Sequence, residues 1–320
     1  MSSSLPTLAI IVPCYNEQEV LPSCIQALTE ILEKLIALNK INEKSYSLYS
    51  DDGSKDTTWS IIEQESAQNP HVRGLKLSRN RGHQIALLAG LKHADADITI
   101  SIDADLQDDC SVIEKMVDSY HQGSHIVYGV RNDRSTDSTF KRKTAEYFYG
   151  IMKWMGVQQV PNHADFRLLS RTAKNALLEF GEQNLYLRGL VPLIGFRDDK
   201  VYYSRAARVA GESKYPLKKM LALAIEGVTS LTITPLRIIT AMGFLISIVS
   251  TLVACYTIFE KFTGNAVEGW ASVMIAIFFL GGVQMLSLGI IGEYIGKIYI
   301  ESKKRPKYFL EKTTEDKIER

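Results

Sequence analysis

The chain has 320 residues, a formal net charge of +1 and four cysteines. That length holds one large domain or two smaller units with a sizeable core. The balanced charge removes any whole-chain case for nucleic acid or an acidic tail, and the cysteines (Cys14, Cys24, Cys110, Cys255), with no C-x-x-C pair, argue against zinc and against a disulfide framework.

The N-terminus Met1 to Ser4 has no cationic region, and the apolar run Leu8 to Val12 is too short for a signal core and stops at Pro13. The N-terminal part is therefore expected in the cytoplasm. Leu8 to Val12 reads as a buried strand. Glu17 to about Leu38 reads as a helix, with apolar residues at Val20, Leu21, Ile25, Leu28, Ile31, Leu32 and Leu35. Tyr46 to Tyr49 is a second strand and Thr57 to about Ala67 a second helix. Val72 to Leu77 is a third strand, Gln84 to His93 a third helix, Ile98 to Ile102 a fourth strand and His125 to Tyr128 another. The alternation predicts a mostly parallel sheet with helices on both faces.

Ligands of such sheets bind beyond the carboxyl ends of the strands. Four polar clusters fall at those ends: Pro13-Cys14-Tyr15-Asn16-Glu17, Asp51-Asp52-Gly53-Ser54, Ser78-Arg79-Asn80-Arg81-Gly82-His83 and Asp103-Ala104-Asp105. An Asp-x-Asp after a strand is ordinary turn chemistry when alone. Beside three further polar clusters it points to a metal–diphosphate site, since Mg²⁺ is usually held by one or two carboxylates plus substrate phosphates. Asp51 and Asp52 have two readings, as acceptors for a uracil or guanine imide N–H or as an N-cap series before Thr57. Asn80-Arg81-Gly82 opens a helix, and is either an anion site or a plain Asn/Gly cap.

Asn132 to Arg142 is polar and reads as a mobile loop. Phe140 to Met155 looks helical, its aromatic stripe suited to a core. Two runs, Ile238 to Phe259 and Gly269 to Gly292, carry no charge. Each has about the 20 residues needed to cross a bilayer. The flanks are basic (Lys214, Lys218, Lys219 and Arg237 before; Lys297, Lys303, Lys304, Arg305 and Lys307 after) and the connector Glu260 to Glu268 is not. The positive-inside rule places both flanks in the cytoplasm and the connector outside. Pro216 to Thr232 suits a helix lying at the membrane surface. Gly281-Gly282 and Gly289-x-x-Gly292 are small-residue sites where spans can pack, which favours a homo-oligomer.

Pro13-x-Tyr15-Asn16-Glu17, Asp51-Asp52-Gly53-Ser54-x-Asp56-x-Thr58, Asn80-x-Gly82-His83 and Asp103-Ala104-Asp105-Leu106-Gln107-Asp108 together resemble the signature of family 2 glycosyltransferases. Asp165-Phe166-Arg167-Leu168-Leu169-Ser170, then Gly211-Glu212-Ser213-Lys214-Tyr215 before two apolar runs, then Gly292-Glu293-Tyr294-Ile295-Gly296, resemble the polyprenyl-phosphate group of that family, which includes dolichol-phosphate mannose synthase and bactoprenol glucosyltransferases. The resemblance covers roughly Leu8 to Tyr308. It implies a GT-A, Rossmann-like α/β catalytic domain over residues 1–212. Juxtamembrane helices would follow over 213–236, a transmembrane hairpin over 237–298 (spans 238–259 and 269–292) and a cytoplasmic tail over 299–320.

Carried over by position, the resemblance implies that Pro13, Tyr15, Asn16, Glu17, Asp51, Asp52, Ser54, Arg81, Asp103 and Ala104 hold a nucleotide-sugar. Asp105, Gln107 and Asp103 would bind Mg²⁺ or Mn²⁺. Arg131, Arg142, Arg208 and Lys214 would meet donor or lipid phosphates, and Asp105, Asp165 and Arg131 would serve catalysis. Asp165 has two readings, a general base or a carboxylate that fixes Arg167 or sugar hydroxyls. Ser50 and Cys110 depart from the pattern, an apolar residue and a proline being usual there, so stability or local geometry is in question at both before activity.

The implied activity is transfer of a sugar, glucose from UDP-glucose first, to undecaprenyl phosphate, with inversion at the anomeric carbon. The implied place is a bacterial inner membrane, with multiple spans and with the catalytic domain and both termini cytoplasmic. Two other readings stand beside it: a processive polysaccharide synthase, which usually has more spans and a Gln/Arg-x-x-Arg-Trp motif, and a non-catalytic membrane scaffold on a nucleotide-sugar fold.

Overall fold

Seven consecutive buried residues, Leu8–Cys14, form the interior strand β1 in the computed structural model of the chain. The structure describes residues 5–131, 163–183, 186–204, 232–263 and 269–315. Leu8, Ala9, Ile10, Ile11 and Val12 have no exposed surface. A strand covered on both faces must read as a continuous apolar run, and each such side chain stabilises by roughly 1.5–3 kcal/mol.

Strands β2 (Tyr46–Asp51), β3 (Val72–Leu77) and β4 (Ile98–Ser101) alternate with helices α1 (Leu21–Ala37), α2 (Thr58–Gln68) and α3 (His83–His93). Helix α1 starts four residues later than its periodicity predicts, with Pro22 in its first turn, where proline's missing N–H costs nothing. Glu17 to Val20 instead enter the loop after β1. Helix α4 (Val112–His121), strand β5 (Ile126–Arg131), strand β6 (His163–Ser170), helix α5 (Arg171–Glu179), a short helix α6 (Leu187–Leu190) and strand β7 (Asp198–Tyr203) follow, and β8 (Leu310–Thr313) ends the series.

The sheet has eight strands in the order β7-β5-β6-β4-β1-β2-β3-β8. Neighbours β1, β2, β3 and β4 pair in parallel, as do β5 and β7, while β6 runs antiparallel to β4 and β5, and β8 antiparallel to β3. The mostly parallel α/β sheet expected from the sequence is therefore present, with two reversed strands that no periodicity announced. The chain leaves β1 for β2 on one side and returns as β4 on the other, a change of strand order at which doubly wound sheets open a ligand crevice. Residues 299–320, read as a tail, supply β8.

Two long helices, α7 (Thr234–Thr263) and α8 (Trp270–Ser302), form a separate compact unit. Each contains a segment long and apolar enough to cross a membrane, Thr234–Val253 and Phe279–Ser302. The second window lies about ten residues beyond the expected 269–292, because α8 continues unbroken through Glu293 and Lys297. Phe244, Leu252 and Met285 are 70%, 64% and 67% exposed, as suits side chains with an apolar surround. Tyr294 donates its hydroxyl to Thr232 O at 2.6 Å and ties the start of α7 to α8. Among the described residues nothing comes within 4 Å of a Cβ built on Gly281, Gly282, Gly289 or Gly292. The juxtamembrane helix over 216–232, the helix over 140–155, the loop over 132–142 and connector residues 264–268 lie outside the described residues.

Ser50 is fully buried and donates to Ala86 O at 2.6 Å, pinning β2 to α3. Its hydroxyl replaces an apolar contact with a satisfied hydrogen bond. Cys110 packs against the core, and burial pushes its thiol up to about 11.

Gly90 of α3 faces β1, where an added Cβ would lie 2.3 Å from Ile11 Cγ2. Helix propensity alone favours Gly90→Ala by about 1 kcal/mol, but overpacking costs roughly 1–3 kcal/mol. The variant is expected to unfold at lower temperature than the parent, and to lose less in an Ile11→Ala background, as a double-mutant cycle of thermal melts will read.

Candidate functional site

The four polar clusters do meet at one edge of the sheet, and side-chain hydrogen bonds lace them together. Asn16 donates its N–H to Ser54 Oγ and accepts from the Lys55 N–H, both at 2.9 Å. Its φ of 55° is left-handed, a conformation asparagine tolerates. Glu17 N–H donates to Thr58 Oγ1 at 2.9 Å. Asp52 accepts the N–H groups of Arg81 and Gly82, one on each oxygen and each at 2.7 Å. His83, the first residue of α3, then reaches to the fourth cluster, its Nε2 lying 3.5 Å from Asp103 Oδ1.

Asp51 ends β2, fully buried. Oδ1 accepts both the N–H and the hydroxyl of Ser54, whereas Oδ2 has no hydrogen-bond partner. Burial raises its pKa and the Ser54 bonds pull the other way. A buried acceptor without a donor costs about 1–3 kcal/mol, which a ligand N–H would relieve. Pro13 closes β1, and Tyr15 stands 39% exposed beside it. An open groove of about 520 Å³ runs between Asn16 to Val20 and Lys55-Asp56. It is a rim of the first two loops and does not reach the carboxylates after β4.

Strand β6 runs against β4 with Ser101 paired to Arg167. Continued by two residues, that register sets Asp165 across from Asp103. Asp165 is buried, and two guanidinium groups and an imidazole converge on it. Arg167 donates to Oδ1, Arg188 engages both oxygens from Nε at 3.3 Å and Nη2 at 3.1 Å, and His83 Nε2 lies 3.4 Å from Oδ2. Burial alone would push this carboxyl up, but the His83 hydrogen bond and the Arg167 and Arg188 charges hold it well below the usual carboxylate range. Burial would likewise lower His83, yet Asp165 and Asp103 raise it. Asp103 moves the other way, raised by burial and by Asp165, Asp108 and Asp105 with only His83 opposing.

The Asp103-Ala104-Asp105 loop is a turn as well as a candidate ligand site. Leu106 has a left-handed φ of 51°, its side chain packed against the core, and Asp105 Oδ1 accepts the Gln107 N–H at 3.2 Å. Ala104 and Gln107 are buried. Asp108 anchors the loop from below, taking Tyr203 OH at 2.5 Å and Arg131 Nη2 at 3.0 Å. Arg131 is thereby ion-paired to Asp108. The Arg81 guanidinium is also engaged, its Nε donating to Lys307 O at 2.6 Å. Arg142, Arg208 and Lys214 lie outside the described residues.

Among the described residues no three His, Cys, Asp or Glu side chains gather as a metal cage. Mg²⁺ and Mn²⁺ do not require one when substrate phosphates complete the sphere. Two observations fit such an ion beside Asp103, Asp105 and Gln107. Asp103 Oδ1 is buried without a hydrogen bond, and its ionised form is opposed by three neighbouring carboxylates. His83, Arg167 and Arg188 were not picked out as site residues from the sequence. The first two sat inside quoted motifs, but Arg188 lies 23 residues from Asp165 with no local pattern to mark it.

Residues 9–191 match the family model described as glycosyl transferase family 2, and residues 234–298 match the model described as the GtrB C-terminal hairpin. An uncharacterized glycosyltransferase of Bacillus subtilis is 50% identical over 97% of this chain and 93% of its own. A prophage bactoprenol glucosyl transferase homolog of Escherichia coli is 40% identical over 95% of this chain and 98% of its own. The bactoprenol glucosyl transferase of Shigella phage SfV is 40% identical over 95% and 97%. Among solved structures, glucosyl-3-phosphoglycerate synthase from Mycobacterium tuberculosis in complex with Mn²⁺, UDP and phosphoglyceric acid shares 15% identity at a TM-score of 0.44, covering 71% of this chain and 77% of that one.

Asp165 is held below its unfolded pKa of about 3.9. The stability it confers is therefore whole above that value and is lost as pH falls through the folded one. Asp165→Asn leaves buried Arg167 without its counter-charge and is expected to cost about 3 kcal/mol at pH 7. The gap from the parent should narrow below about pH 4, as denaturant melts at several pH values will read.

Proposed function

The chain belongs to glycosyl transferase family 2 and is a glycosyltransferase carrying a GtrB-type hairpin; from that premise we propose that it moves glucose from UDP-glucose to undecaprenyl phosphate. The observation that carries the proposal is that relatives named bactoprenol glucosyl transferases match sheet and hairpin together, over 95% of the chain. A site for a water-soluble donor and an anchor for a lipid acceptor are joined in one polypeptide.

In this reading the base of the donor lies against the first two loops. Asp51 Oδ2 takes an imide N–H, a group uracil offers. Asp103, Asp105 and Gln107 hold the divalent metal, which when bound neutralises charge on the leaving nucleotide. The acceptor phosphate is largely ionised near neutral pH, its second pKa being about 6. It needs orientation more than deprotonation. That suits Asp165, whose Arg167, Arg188 and His83 partners make it a poor base and a firm mount for Arg188. Arg188 is 43% exposed at its side chain while pinned to Asp165, so it presents positive charge to the open edge. Attack in line with the leaving group inverts the anomeric carbon and gives a β-linked product from an α-linked donor.

The hairpin is proposed to cross a bacterial inner membrane twice. Support comes from the fact that chain on both sides of it, up to Tyr203 and from Arg305 on, belongs to one sheet. A domain on one side of a bilayer can receive both ends only from an even number of spans. Basic flanks support the cytoplasm as that side, and the small-residue sites at Gly281-Gly282 and Gly289-x-x-Gly292 favour a homo-oligomer.

Incubation of purified protein with radiolabelled UDP-glucose, Mn²⁺ and a short-chain polyprenyl phosphate is expected to put label into a small lipid-extractable product. Polymer would indicate a processive synthase, and no transfer with any nucleotide sugar a scaffold. Asp105→Ala is expected to abolish transfer in a protein that still folds; retained activity would sink the metal assignment. Arg188→Ala is expected to raise KM for the lipid phosphate about tenfold, the weight of roughly one charge-assisted hydrogen bond. KM for the donor should stay near the parent's, and a change confined to the donor would remove Arg188 from the acceptor side.

A further inference from the structure

The residues after α8 do not trail away. Phe309 O accepts the Ser78 N–H at 3.0 Å, β8 pairs with β3 from Leu77↔Leu310 to Leu75↔Thr313, and Thr314 closes the pairing with Gly74. Ion pairs of Glu311 with Lys76, Lys312 with Glu63 and Glu315 with Arg73 line the strand. Covering an exposed sheet edge accounts for β8 itself. It does not account for Arg305 to Phe309, which run past the loop that follows β3.

That stretch grips the loop and helix α3 at both ends. Arg81 donates from Nε to Lys307 O at 2.6 Å and from Nη2 to Pro306 O at 3.4 Å. Tyr308 lies edge-on to His93, the last residue of α3, with ring centroids 6.0 Å apart. Gln183 Nε2 holds Arg305 O at 3.0 Å. Arg81 thus has two attachments, its peptide N–H on Asp52 in the loop after β2 and its guanidinium on the returning chain. Two residues on, His83 stands between Asp103 and Asp165. A loop residue with φ of 94° at Gly82 has little intrinsic preference for one position. Asp52 holds it from within, and the Arg81 guanidinium from outside.

We propose that Arg305 to Phe309 are a positioning element of the active edge, acting through Arg81 to fix the Ser78 to His83 loop. The element begins three residues after the second apolar helix ends at Ser302. The same chain that anchors the enzyme thereby sets the loop on which His83 and the Asp52 contacts depend. The effect on donor binding rests on the reading that this edge holds UDP-glucose; the effect on the loop does not.

Full-length protein in detergent, parent and variants, is compared by hydrogen–deuterium exchange over residues 78–93, by titration with UDP and Mn²⁺, and by donor KM and kcat. Arg81→Ala is expected to speed exchange in the loop while the core strands stay protected, to weaken UDP about tenfold, and to raise donor KM more than it lowers kcat. Arg81→Lys, which keeps the charge but not the planar fork, should fall between. Tyr308→Ala loosens the same stretch without touching Arg81 and should move the loop in the same direction, which keeps the test alive if Arg81→Ala fails to fold. Thr314→Val, on the far end of the strand, should lower stability and leave UDP affinity alone. Unchanged loop exchange in the folded Arg81 and Tyr308 variants would overturn the proposal, as would faster exchange with unchanged UDP affinity. A parent that binds no UDP would instead refute the donor reading, and the exchange result alone would then decide whether the returning chain positions the loop.

Discussion

A carboxylate taken out of water must be matched by hydrogen bonds or charge, and the active edge of this protein is organised around that requirement at Asp165. Burial disfavours its ionised form, and the His83 hydrogen bond from α3 and the Arg167 and Arg188 charges from β6 and α6 reverse the balance. Once those partners are committed, the neighbours follow. His83 is drawn to the first turn of α3 between Asp165 and Asp103. Asp52 is spent on the loop that carries His83, and Asp108 on Arg131 and Tyr203. Asp103 is left with His83 alone to offset its burial, and one oxygen of Asp51 with no hydrogen bond. Those are the atoms a metal–nucleotide pair would satisfy.

The compensation also redistributes roles among residues of one type. Arg167 is buried and structural. Arg188 shares its carboxylate yet keeps an exposed face, and Arg131 and Arg81 serve the scaffold of the loops. Guanidinium groups at this edge are thus not interchangeable; what each can bind depends on what already holds it. Asp165 in turn is better suited to fixing charge than to accepting a proton, which agrees with an acceptor that arrives ionised.

Reversed strands do the joining. Strand β6 returns against β4 and delivers Asp165 to an edge otherwise built from the ends of parallel strands. Strand β8 returns against β3 after the helical hairpin and brings Arg305 to Phe309 alongside the loop after β3. Each reversal links a distant part of the sequence to the same edge. The apolar hairpin is therefore an interruption within the sequence of the catalytic unit, not an appendage to its end.

The parallel strands, their helices and the four polar clusters were legible in the sequence because each depends on a local pattern. Buried strands require apolar runs, helices a repeat of 3.6, and carboxyl-end loops polar turn residues within a few positions. The two apolar helices were legible for the same reason, and the family resemblance rested on motifs of four to eight adjacent residues. Strands β6 and β8 were not, since a short strand of mixed character gives no period, and its place depends on a partner far along the chain. The site divides on the same line. Asp51, Asp103, Asp105 and Asp165 stood out as residue types at marked positions. That Asp165 is held by Arg188, 23 residues away, that Arg131 is paired to Asp108, and that Arg81 grips a carbonyl 226 residues distant are outcomes of packing. Sequence determined which chemical groups reach the edge, because that is set by local periodicity. Tertiary structure alone decided which of them remain available to a substrate, because hydrogen-bond partners are chosen by proximity in space.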